Sequence, residues 1–97
     1  MEERSIIAEI EGTFATGSAE KQAEIVRRVT DLFLAGADTY SDLHVDVFDS
    51  VISRLAEKIE TKARVELAHR LAPADNAPPL TVRKLANDES IDVRARY

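Results

Sequence analysis

The chain has 97 residues, enough for one small domain, and its 44% hydrophobic and 32% charged residues fit a soluble globular protein, not a disordered one. It holds no cysteine, which excludes disulfide staples, thiolate metal sites and a cysteine nucleophile. The net charge of −5 is unevenly spread, −7 over residues 1–49 and +2 over residues 50–97, so the first half repels polyanions and anionic membranes while the opposite-signed halves favour packing of one chain against another.

From the amino terminus, MEERSIIAEIEG carries glutamates where a secretory leader carries Lys or Arg. Ile6, Ile7, Ile10 and Phe14 recur on one helical face and predict a helix from Glu3 to about Ala15. Gly17 and Ser18 break and restart the chain, with Ser18 as N-cap of a second helix from Ala19 to about Ala35. Its expected buried stripe is Ile25, Val26, Val29, Leu32 and Phe33, and Gly36 stands where a left-handed C-terminal residue is wanted. The longest apolar run, Leu32 to Ala35, is far short of the ~20 residues that cross a bilayer. The expected location is the cytoplasm.

After a loop over 37–40, Ser41 caps a third helix, about Asp42 to Lys58, with Asp42 at the positive end of its dipole. Val47 (or Val45), Phe48, Val51, Ile52, Leu55 and Ile59 are its expected buried residues. Thr61 weakly caps a fourth helix that runs to Ala72, lined by Ala63, Leu67, Ala68 and Leu71, and Pro73 prevents continuation. A fifth helix spans Pro79 to Ala86, proline being tolerated in the first turn. Asn87 and Asp88 end it, and Ser90 caps a last helix that has barely begun at Tyr97. No stretch alternates in the manner of a strand. The expectation is one all-α domain of five to six helices in antiparallel hairpins: a first pair over 1–36, a central pair over 42–72 and the start of a third unit over 79–97.

RLAEKIETKAR, residues 54–64, overlays KLANDESIDVR, residues 84–94, at an offset of thirty. Leu-Ala meets Leu-Ala, Arg64 meets Arg94, and Ala63 meets Val93. Both segments fall on a predicted inter-helix turn, the mark of a stacked repeat, although recurrence of the helix-favoured Leu-Ala pair by chance produces the same match.

LFLAGADTY, the segment ISRLAEKIETKARVELAHRLAP with NAPP after it, and the turn from Asp88 to Val93 and Arg94 resemble a bacterial helical family. It is the domain of unknown function number 2336, common in alpha-proteobacteria, and the resemblance runs from about Ile6 to Val93. It implies a HEAT-like, right-handed stack of antiparallel helix pairs, and it brings no catalytic motif. Members of that family are typically longer, so the resemblance makes this chain an N-terminal fragment. In such stacks an aspartate at the turn and an arginine early in the second helix bond between neighbouring units. This assigns Arg64, Asp88 and Arg94 to an inter-repeat polar ladder, with Glu57 or Glu60 as acidic neighbour of Arg64. Charge-assisted bonds of this kind fix geometry more than they add stability.

Chemistry-bearing patterns are sparse. His44 lies near Asp42 and Asp46 in sequence and His69 near Glu66 and Arg70, and both read more simply as solvated residues. Asp42, Asp46 and Asp49 share a helical face, with Asp38 upstream, a ladder that could hold a hard cation through oxygen. It lacks the loop ligands and glycine of an EF-hand and is more simply a solvated face. Gly12 to Ser18 echoes the glycine spacing of a phosphate-binding loop without its lysine or preceding strand. No cofactor, metal site, catalytic residue or small-molecule substrate is expected.

The remaining expectation is a non-enzymatic protein-interaction module, self-associating as a dimer. Each unit of a stack needs a neighbour over its apolar face, so Ile91, Val93, Arg94 and Tyr97 form the expected interaction edge. The alternative is a nucleic-acid-binding domain using Arg54, Lys58, Lys62, Arg64, Arg83, Lys84, Arg94 and Arg96.

Overall fold

The computed structural model describes residues 2–74 and 76–95, and of residues 2–7 and 10 the backbone alone. The helices are α1 (Glu2–Ala15), α2 (Ala19–Gly36), α3 (Asp42–Ala56), α4 (Thr61–Leu71), α5 (Pro79–Ala86) and α6 (Ile91–Arg94). Among the described residues there is no strand. The chain is all-α, as the spacing of its apolar residues requires.

Two of the three expected serine caps form. Ser18 Oγ accepts from Lys21 N–H at 3.2 Å and Ser41 Oγ from His44 N–H at 3.3 Å, each satisfying an orphan donor of the first turn. Ser90 precedes α6 without such a bond; its own N–H donates to Asp88 Oδ1 at 2.9 Å, so the turn is built by the aspartate. Glu60, not Thr61, holds the N-cap position of α4, again without a side-chain bond.

Gly36 departs from its expected role. It is the last residue of α2 and helical, and no described glycine has a positive φ. A Cβ placed there would stand 2.5 Å from Tyr40 Cζ, so the glycine makes room for a ring. Tyr40 folds back over the end of α2, its hydroxyl donates to the Leu32 carbonyl at 3.0 Å, and its ring stacks on Phe48 at 5.2 Å. Phe33 meets Phe48 edge-on at 5.4 Å, and the three rings join α2 to α3.

Ion pairs and caps give the relative directions of the helices. The most extensive packing is between α3 and α5. Asp49, midway along α3, touches the first turn of α5, while Glu57, just past the end of α3, pairs with Lys84 in the last turn of α5. The two helices therefore run the same way. So do α2 and α4, because Arg27 pairs with Glu66 and Asp31, one turn later, with Arg70. The main neighbours of α1 are α2 and α3, and those of α6 are α4 and α5. Arg54 on α3 reaches Glu11 on α1 at 3.2 Å.

The core between these helices is continuous. Phe14, Phe33, Ile52, Leu55, Ala68, Leu71 and Val93 are fully buried, joined by Val26, Val45, Ala56, Ile59, Leu67 and Leu85. Val45 is buried and Val47 only half so. On α2 the inward row is Val26, Thr30 and Phe33, continued by the C-cap Ala37, which turns Leu32 outward to 61% exposure, against expectation. Thr30 is tolerated inside because its hydroxyl donates to the Val26 carbonyl at 2.7 Å. The expected apolar face of Ile6, Ile7 and Ile10 falls on side chains outside the described residues.

Candidate functional site

The water-shielded polar contacts between α3–α4 and α5–α6 converge on two carboxylates. The first is Asp49. It is 5% exposed, and its Oδ2 accepts from Leu80 N–H at 2.8 Å and its Oδ1 from Thr81 N–H at 2.7 Å and Thr81 Oγ at 2.6 Å. It caps α5 from a different helix, a place where Pro78 can supply no side-chain acceptor. The carboxylate ladder is thereby corrected. Asp42 and Asp46 are exposed while Asp49 is turned inward and fully engaged, because α5 starts directly against the middle of α3. Among the described residues no group of three or more His, Asp or Glu is placed to share a metal ion.

The second is Asp88, in the turn between α5 and α6. Arg64 Nε donates to Asp88 Oδ2 at 2.8 Å, Arg64 Nη1 to the Ile59 carbonyl at 2.8 Å and Arg64 Nη2 to Thr61 Oγ1 at 3.2 Å. Both side chains of the pair are mostly shielded from water, 20% and 12% exposed, so the contact is screened less than a surface pair. One guanidinium thus ties the start of α4, the end of the α3–α4 turn and the α5–α6 turn together. Glu57 is paired with Lys84 and Glu60 serves as N-cap. The Lys84 ammonium, by hydrogen bond and charge, holds the Glu57 carboxyl below the usual range.

Arg94 does not join this cluster. It is exposed and forms no ion pair among the described residues. Of the expected interaction edge, Ile91 is 70% exposed, whereas Val93 is fully buried. That corrects Val93 to a core residue: α6 lies on α4 and α5, and its one inward position inserts there. Tyr97 lies outside the described residues, as does Arg96.

An open groove runs between the two C-terminal hairpins, lined by Ser53, Glu57, Arg64, Lys84, Asp88 and Glu89 among others. Its cations Arg64 and Lys84 are both matched by carboxylates, which leaves no uncompensated charge to draw an anion. His44 is exposed, edge-on to Tyr40 at 5.9 Å, and His69 is exposed on α4; neither meets a nucleophile or a carboxylate among the described residues. No family model, curated protein or solved structure matches the chain.

Proposed function

We propose that the chain is a non-catalytic protein-interaction module built of HEAT-like stacked hairpins, working through helical surface and not through a pocket. The observation that carries this reading is the register between the last two hairpins. Helix α3 ends at Ala56 and α5 at Ala86, while α4 begins at Thr61 and α6 at Ile91. The thirty-residue offset of the sequence is thus also the offset of the helix boundaries. In such arrays each unit touches only its neighbours and the outer faces remain available to others. The reading agrees with the resemblance to family 2336, and it makes the chain a binding partner in the cytoplasm, either of another protein or of its own second copy.

The test is affinity capture with the full chain immobilised. A protein retained saturably, and displaced by free chain, is the expected result. Retention no better than on an unrelated helical domain of equal charge would defeat the proposal. Sedimentation velocity over a hundredfold concentration range separates the second copy from a different protein.

A further inference from the structure

Helices α3 and α5 lie side by side and run the same way, and one surface is shared between them. Leu43, Asp46 and Ser50 occupy one side of α3, which leads on to Glu57 at its C-cap. Leu80, Arg83 and Lys84 occupy the outer side of α5, and the Glu57–Lys84 ion pair joins the two sides. This surface carries Leu43 at 69% and Leu80 at 45% exposure. Asp46 and Arg83 on it are exposed and form no ion pair among the described residues. The cap of α5 fixes their heights. Asp49 accepts from Leu80 N–H at 2.8 Å, so those two residues stand level. Asp46 is three residues before that level and Arg83 three residues beyond it, each about 4.5 Å away along the helix axes. A free anion and a free cation thus flank an exposed leucine at equal distances on opposite sides.

We propose that this α3–α5 face binds the same face of a second copy of the chain, around a two-fold axis that passes by Leu80. This rests on the interaction-module reading and names its partner. A two-fold interface requires a patch that complements itself, residue i meeting j while j meets i. Half a turn about Leu80 exchanges the two heights, so Asp46 of each copy meets Arg83 of the other. The two Leu80 side chains close on each other at the axis, and Leu43 comes over the last turn of α5 in the opposite copy. A partner of uniform charge would be repelled at one end of the face while attracted at the other, which is what singles out a second copy. Each copy carries a net charge of −5, but at about 0.15 M salt charges more than about 8 Å apart are largely screened, and the matched pairs lie within that range.

The test is sedimentation velocity on the full chain over a hundredfold concentration range at about 0.15 M salt. Expected is a concentration-dependent dimer. Asp46→Arg and Arg83→Asp each set like charges against one another across the axis and should weaken it by about tenfold or more. Mixed in equal amounts, the two variants should recover a dimer within about threefold of the original affinity, because each then offers the charge the other lacks. Both substitutions in one chain should recover it likewise. Both positions are exposed, so each variant at concentrations too low for dimer should keep the helicity and Tm of the parent, which separates lost docking from lost folding. A chain that stays monomeric throughout, a dimer indifferent to both reversals, or reversals that the mixture does not rescue would each overturn the proposal. If the chain stays monomeric while affinity capture retains a different protein, this face is wrong and the module reading stands. If capture fails as well, both fall.

Discussion

Asp49 does from a neighbouring helix what Ser18 and Ser41 do for their own. Its carboxylate accepts two backbone N–H groups and a hydroxyl in a place closed to water. Asp49→Ala leaves those donors without a substitute, and the expected loss is about 2–4 kcal/mol in urea unfolding. Asp49→Asn should recover less than half of this, because its amide nitrogen turns a donor towards Leu80 N–H. Gly36 gives a sign test at the same scale. Alanine stabilises a helical position over glycine by up to about 1 kcal/mol, less in a last turn such as this one, yet here its Cβ would collide with the Tyr40 ring. Gly36→Ala should therefore destabilise, whereas in a Tyr40→Ala background it should stabilise, a reversal that a double-mutant cycle reads directly. Neither role is legible in the sequence. Asp49 reads as a third rung of an exposed ladder because its partners lie about thirty residues away, and Gly36 reads as a helix terminator because glycine usually ends helices.

At the scale of elements the sequence is far more explicit. Apolar spacing, two serine caps and the prolines at 73, 78 and 79 place all six helices to within a few residues of their observed ends. Which residue of a short helix faces inward is less legible, since four residues of α6 contain barely one turn of periodicity. Ile91 and Val93 look alike in sequence, and only the docking of α6 on α4 and α5 distinguishes them. Their substitutions should diverge accordingly. Val93→Ala should cost about 1–3 kcal/mol of stability, the loss of a buried side chain with its cavity, while Ile91→Ala should stay within about 0.5 kcal/mol. Thermal melting of the two single mutants measures the contrast. Equal effects would mean that α6 does not pack as described.

For the whole molecule, charge and connectivity matter more than any single contact. Of the cations named for a nucleic-acid surface, Arg54, Arg64 and Lys84 are neutralised by Glu11, Asp88 and Glu57, and the net charge is −5. Backbone binding requires phosphates to be met by free, clustered cations. Fluorescence anisotropy with labelled single- and double-stranded DNA at about 20 mM salt should therefore show no saturable binding; binding that weakens steeply with salt would restore that reading. The long-range relations were only partly legible in the sequence. The thirty-residue match anticipates that α3 and α5 are equivalent, but the parallel course of α2 and α4 is written in Arg27, Asp31, Glu66 and Arg70, whose pairing no local pattern reveals.

The way Asp49 grips α5 also bears on redesign. It holds two main-chain amides, which every residue but proline offers, and only one side-chain hydroxyl, that of Thr81. The vertical alignment of the two helices is therefore largely independent of what α5 spells. Apart from Thr81, the inward Leu85 and Lys84 with its Glu57 partner, that segment can be rewritten as an interchangeable cassette, with α3 holding the pin that seats each replacement at the same height.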